Sequence, residues 1–153
     1  MTSQFARRLG FPLAKTTMVV TGISGKATQL KHSLRASLES RTTDFKTTAE
    51  MFIMDQITDN IPNQDFNVSQ LDIPSEVSLA DPNFWKSSEI DMLLDNQIYL
   101  DTVTDGRICT GLGIQLRRSH FGWIVGGYVP CKKPATSLLS AFSHVVAANV
   151  ESD

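Results

Sequence analysis

Apolar and polar residues alternate along much of the chain, which predicts a protein built mainly from short strands. The clearest alternation covers residues 29–38, where the apolar side is Leu30, Leu34, Ala36 and Leu38. The opposite side of the same segment is polar: Gln29, Lys31, Ser33, Arg35 and Ser37. A period of two residues indicates a strand that is buried on one face.

A hairpin is predicted immediately before this strand. Residues 16–21 are rich in β-branched side chains, which favours a strand. The run Gly22-Ile23-Ser24-Gly25 follows, and two glycines around an aliphatic residue are typical of a hairpin tip.

The middle of the chain changes from apolar to irregular. Residues 51–54 form an unbroken apolar run within 47–57, which predicts a central strand buried on both faces. Residues 58–86 are polar and contain three prolines, so they predict an irregular connection. Its apolar side chains are expected to pack on the core, and they are Ile61, Phe66, Leu71, Ile73 and Leu79.

Several short elements follow. Residues 90–94 predict a strand, residues 96–103 a helical turn, and residues 107–110, 114–118 and 121–125 three further strands. Together with the hairpin these elements predict an all-β fold, either a small barrel or a pair of orthogonal sheets.

Two helices are predicted at the ends of the chain. Residues 3–11 can form a short helix that Ser3 caps and Gly10 ends. Near the C-terminus, apolar residues at helical spacing predict an amphipathic helix: Leu138, Leu139, Phe142, Val145, Val146 and Val150. This helix either covers the barrel or meets a partner or a following domain.

Length and charge exclude some classes of protein. The 153 residues suit a single domain, and a net charge of −2 gives no electrostatic case for nucleic acid or an anionic membrane. The N-terminus is too polar for a secretory signal, and no run approaches the roughly 18 apolar residues of a membrane span. The sequence therefore predicts an intracellular, cytoplasmic protein.

Cysteines and histidines are too scattered for a metal site. Cys109 and Cys131 belong to no CxxC pair, and the three histidines stand singly. Because a zinc site needs about four such ligands at tight spacing, neither a metal nor another cofactor is predicted. The sparse cysteines indicate reduced thiols, although one disulfide remains open.

Three stretches together resemble the aspartic peptidase domain of Pao/BEL retrotransposons. The first is Gln-Phe-Ala-Arg-Arg-Leu-Gly-Phe at 4–11, similar to the helix after the family's catalytic strand, and the second is the flap-like Gly22–Gly25 run. The third combines Leu-Ala-Asp-Pro-Asn-Phe at 79–84, Ile-Asp-Met-Leu-Leu at 90–94 and Phe-Gly-Trp-Ile-Val-Gly-Gly at 121–127. The resemblance covers roughly residues 3–129.

The resemblance implies a retropepsin-like β-barrel domain over residues 1–129, followed by a helical extension over 130–153. It also implies an endopeptidase that acts on a peptide or polyprotein as a homodimer, without metal or cofactor. The substrate-binding residues that it implies are those of the flap-like hairpin: Gly22, Ile23, Ser24 and Gly25.

The sequence departs from the family at the catalytic turn. Such peptidases need two carboxylates about 3 Å apart that share a proton, supplied by Asp-Ser/Thr-Gly turns. No such turn occurs here, and Asp44 is the first aspartate, so no catalytic residue is assigned. The missing strand and turn are expected upstream of Met1, which leaves an open edge and predicts marginal stability or self-association.

A second departure is Asp95, which replaces a family glycine and is interpreted as a turn residue or helix cap. Asp91 is interpreted as structural, and Phe121 and Trp123 as core residues. Three hypotheses remain. The chain is an inactive peptidase remnant, a fragment of a longer active homodimeric enzyme, or a non-catalytic β-domain that binds a peptide or partner.

Overall fold

The computed structural model describes residues 1–22, 25–110 and 113–128, and the backbone of two short strands, Ser140–Ala141 and Asn149–Glu151. The described residues form a mainly β protein with three small antiparallel sheets and two short α-helices. The helices are α1, Ser3–Leu9, and α2, Asn96–Thr102, and a 3-10 turn covers Val68–Gln70.

The first sheet is organised around its longest strand, β4, His32–Glu39. One edge of β4 pairs along its length with β5, Lys46–Phe52. The other edge pairs with β1, Ala14–Lys15, near the start of β4 and with the C-terminal Asn149–Glu151 near its end. The buried side predicted for Leu30, Leu34, Ala36 and Leu38 is confirmed, since all four side chains are buried. The predicted polar side is only partly exposed, because Ser33 and Ser37 are buried as well.

The second sheet is a two-stranded hairpin of β2, Val19–Thr21, and β3, Ala27–Gln29. The third sheet consists of β6, Val103–Cys109, β7, Ile114–Ser119, and β8, Gly122–Tyr128, followed by β9, Ser140–Ala141. The three strands predicted between residues 107 and 125 are therefore confirmed, as is the helical turn at 96–103.

Two apolar clusters form the core. Cluster 1 includes Leu34, Leu38 and Met51 of the first sheet. Cluster 2 includes Ile114, Leu116 and Val125 of the third sheet, together with Leu71 and Phe84 from the irregular connection. Strand β8 contacts both clusters, because Ile124 packs against cluster 1 while its neighbours Trp123 and Val125 belong to cluster 2.

The irregular connection at 58–86 packs much as predicted. Leu71 is 1% exposed, and Phe66, Ile73 and Leu79 lie half-buried against cluster 2. Ile61 is half-buried and forms an isolated bridge with Ser88 instead.

Several predictions need correction. The sheets do not close into a barrel within the described residues. β5 is not a central strand, because in this part of the chain it pairs only with β4 and exposes alternate side chains. Residues 90–94 pair with no strand in the described part of the chain, and Asp91 O accepts from Thr2 N instead.

The two ends of the chain also differ from the prediction. The cap of α1 is Thr2 rather than Ser3, since the Thr2 hydroxyl accepts from Phe5 N at 3.3 Å. The predicted C-terminal helix is wrong at Ser140–Ala141 and Asn149–Glu151, because strand pairing with β8 and β4 holds these residues extended. The rest of that helix lies outside the described residues. In the described part of the chain, no helix has the length and apolar character needed to cross a membrane.

Candidate functional site

The predicted hairpin is the outer half of a longer two-stranded ribbon. Near its base Ala14 pairs with Ser33 and Lys15 with His32, and farther out Val20 pairs with Thr28. Between these pairs, Thr16 N donates to Lys31 O at 2.9 Å and Leu30 N to Met18 O at 2.7 Å. We call residues 13–31 the arm.

Two glycines shape the tip of the arm. Gly25 N donates to Gly22 O at 2.9 Å, and Gly22 N donates to Lys26 O at 3.1 Å. Gly25 has a φ of 76°, a left-handed conformation that β-branched residues rarely adopt. Ile23 and Ser24, the other two predicted substrate-binding residues, lie outside the described residues. The substrate-binding role of the tip stays a prediction.

The arm is open to solvent. Every described side chain of residues 17–29 is exposed, including Met18, Val19 and Val20. Because the arm has only two strands and both are exposed, it presents unpaired backbone edges as well as side chains to a ligand. This arrangement suits an extended peptide or another protein surface.

A second group of contacts joins the N-terminal residues to two distant segments. The Met1 ammonium donates to Phe52 O at 2.9 Å, and Met54 N donates to Met1 O at 3.1 Å. Thr2 N donates to Asp91 O at 2.8 Å. Met1 is only 5% exposed, and this burial lowers the pKa of its amine below the ordinary value of 8.0.

Asp91 is held by α1. Its carboxylate accepts from Arg8 at 2.8 Å and from the Thr2 hydroxyl at 3.4 Å. Both side chains of the ion pair are partly exposed, so it contributes at most about 1 kcal/mol to stability. Asp91 therefore makes structural contacts with the helix through both carboxylate oxygens, and its lack of a catalytic role stays a prediction.

A groove of about 240 Å³ borders this junction. It is lined by Thr2, Gln4, Asp55, Gln56, Ile57, Thr58, Glu89 and Ile90. Asp55 accepts from the Ser3 hydroxyl at 3.1 Å. The groove therefore offers hydroxyl, amide and carboxylate groups to a polar ligand. No cluster of three or more metal-binding side chains occurs among the described residues, in the groove or elsewhere.

The segment 78–84 is joined directly to β8. Ala80 N donates to Trp123 O at 2.9 Å, and Trp123 N donates to Ser78 O at 2.8 Å. A Cβ on Gly122 would lie 2.9 Å from Ala80 N, so only glycine allows this approach. Within the same segment the buried Asp81 accepts from Asn83 N at 2.8 Å.

Residues near α2 also have structural roles. Asp95 caps this helix, since its Oδ1 accepts from Ile98 N at 2.9 Å, which confirms the predicted cap. Phe121 is 7% exposed and belongs to cluster 1, as predicted, and Trp123 is half-buried. Cys109 is exposed and in no disulfide, and Cys131 lies outside the described residues.

One surface was missed from the sequence. Leu93, Tyr99 and Leu100 are exposed around α2, where the sequence predicted a strand at 90–94 and a helical turn at 96–103. The available signal was the helical spacing of Ile98 and Thr102, which are buried and therefore leave the intervening side chains outside.

No protein-family model, curated protein or solved structure matches this chain. The description of the site therefore depends on the residues of this chain alone. They form an exposed arm with a glycine tip, a polar groove at the N-terminal junction, and an Asp91 that is bound by Arg8 and Thr2.

Proposed function

We propose that this chain is a retroelement-derived aspartic endopeptidase-like domain of the retropepsin type, and that it has no catalytic activity as this chain. The observation that supports the proposal is the contact between the segments that carry the resemblance. The helix at 3–9 is bound to Asp91 of the 90–94 segment, and the 78–84 segment is bound to β8 at Trp123.

The proposed lack of activity follows from the carboxylates. An aspartic peptidase needs two closely spaced carboxylates, one acting as base on water and the other as acid. The residues directly before α1 are Met1 and Thr2, which carry no side-chain carboxyl group. Asp91, the aspartate that contacts α1, forms a salt bridge with Arg8. No Asp-Ser/Thr-Gly turn is present elsewhere in the sequence.

The first experiment is a cleavage assay with the purified chain and a library of extended peptides. We expect no cleavage that a transition-state inhibitor of aspartic peptidases abolishes. Inhibitor-sensitive cleavage that is lost in Asp91→Asn would show that this carboxylate is catalytic and would overturn the proposed inactivity.

A second experiment tests the peptidase origin itself. The intact mass of the native gene product, together with the mapped 5′ end of its transcript, shows whether an Asp-Ser/Thr-Gly turn is translated ahead of Met1. A product with that turn is expected to be a homodimeric endopeptidase, and substitution of its aspartate should abolish cleavage. If this longer product folds but cleaves no peptide, the peptidase proposal is wrong.

The exposed arm favours a second candidate function, the binding of an extended peptide without cleavage. Its strands can accept an added strand along an edge through backbone hydrogen bonds. Gly25→Val should distort the tip and weaken binding of peptides selected from a display library, whereas Thr28→Val, at an ordinary strand position, should leave binding intact. Equal binding by both variants would argue against the arm.

A further inference from the structure

The exposed apolar side chains of the described residues concentrate in two segments. One is the arm, with Leu13, Met18, Val19 and Val20, of which Val19 is 56% exposed. The other is a segment that we call the α2 face, residues 89–105. Its exposed apolar members are Leu93 at 73%, Tyr99 at 49% and Leu100 at 59%. Large apolar side chains that are exposed in two segments of a small protein suit surfaces that another molecule covers.

The two segments carry opposite charge. The arm contains Lys15, Lys26 and Lys31 and no acidic residue. The α2 face contains five acidic residues and no lysine or arginine: Glu89, Asp91, Asp95, Asp101 and Asp105. Arg8 pairs with Asp91, which leaves four acidic residues in the segment that carries the exposed leucines. The surfaces are therefore complementary both in charge and in apolar character.

We propose that the arm of one copy of this chain docks on the α2 face of a second copy. Like charges disfavour contact between two arms or between two α2 faces, so each arm is directed toward the opposite surface. In a two-fold dimer the contact forms twice, with each copy contributing one arm and one α2 face. The dimer contact requires no catalytic turn and is independent of the proposed peptidase origin.

A complementation experiment tests this pairing. The arm variant carries Val19→Glu and Val20→Glu, and the α2 variant carries Leu93→Lys and Leu100→Lys. Sedimentation velocity at micromolar concentration should show a dimer for the native chain and a monomer for each variant alone. A mixture of the two variants should form a heterodimer, because one native contact remains and the other brings the introduced glutamates of one variant to the introduced lysines of the other.

Each alternative has its own outcome. A monomeric native chain overturns the proposal. An α2 variant that stays dimeric, beside a monomeric arm variant, indicates contact between arms and also overturns it. Failure of the mixed variants to associate does the same. Thr48→Glu, an exposed substitution on β5 outside both segments, should remain dimeric. Far-UV circular dichroism of each variant should match the native chain, since every substituted side chain is exposed.

Discussion

Gly122 lies where β8 meets the segment 78–80, and backbone atoms leave no room there for a side chain. A Cβ would lie 2.9 Å from Ala80 N and 3.0 Å from Ser78 O, and the φ of 110° is itself unfavourable for other residues. We expect Gly122→Ala to lower the free energy of unfolding by about 3 kcal/mol, measured by urea denaturation. Gly126→Ala is the matched control, because its Cβ meets no atom within 4 Å. Equal effects of both substitutions would contradict the proposed crowding.

Asp95 caps α2 through its carboxylate. Asp95→Ala removes the acceptor for Ile98 N and should lower the free energy of unfolding by about 1 kcal/mol. Asp95→Ser keeps a capping oxygen and should recover most of that loss. If both variants unfold like the native chain, the cap does not contribute to stability.

The buried Met1 amine makes stability depend on pH. Burial lowers the pKa of the amine in the folded chain below 8.0, so the unfolded chain binds more protons between the two values. The free energy of unfolding should therefore increase as the pH rises from the folded-state pKa of the amine to its unfolded-state pKa. An N-terminally acetylated chain lacks the titrating group. Urea denaturation at several pH values gives the free energy of unfolding of both chains, and the difference between them should change with pH. A difference that does not change with pH would show that the amine does not titrate in this way.

At the level of elements, the arm and β4 differ in burial although both are paired strands. The side chains of β2 and β3 are all exposed, while five of the eight residues of β4 are buried. In the monomeric α2 variant, arm amides should exchange hydrogen fast and β4 amides slowly, because local opening of the arm uncovers little apolar surface. Hydrogen exchange followed by mass spectrometry measures both. Equal protection would mean that the arm is packed on its own chain.

For the whole molecule, the question is whether the two clusters unfold together. Because β8 packs on both, we expect one cooperative transition. Leu34→Ala in cluster 1 and Leu116→Ala in cluster 2 should each lower the free energy of unfolding by roughly 2–5 kcal/mol. Thr48→Ala on the exposed face of β5 is the control.

The tryptophans provide the readout. Trp85 and Trp123 both lie against cluster 2, so their fluorescence reports that cluster, while far-UV circular dichroism reports all strands. Leu34→Ala should shift both signals to the same urea midpoint, although the substitution lies in cluster 1. Two separate midpoints would show that the clusters are independent units.

Local pattern was sufficient for elements that neighbouring residues specify. Alternating apolar residues predicted the buried side of β4, because a strand turns successive side chains to opposite faces. Gly10 predicted the end of α1, where it adopts a φ of 71°, and Asp95 predicted a cap, because these roles depend on contacts within a few residues.

Tertiary contacts decided the features that local pattern could not predict. The apolar run at 51–54 resembles a central strand, but whether a second strand pairs with its outer edge depends on distant residues. Residues 90–94 have a strand-like composition, yet Asp91 bonds to Thr2 and leaves Leu93 exposed. At the C-terminus, the helical spacing of apolar residues predicted a helix, but Asn149–Glu151 pairs with β4 as a strand.

The candidate site divides in the same way. The sequence by itself determined the glycine tip of the arm and the absence of an Asp-Ser/Thr-Gly turn, since both depend only on which residues are present and in what order. Only the tertiary structure decided that Arg8 forms a salt bridge with Asp91 and that a polar groove borders the N-terminal residues. These arrangements join residues far apart in the chain, and the free energy of such contacts depends on the packing of the whole fold rather than on local spacing.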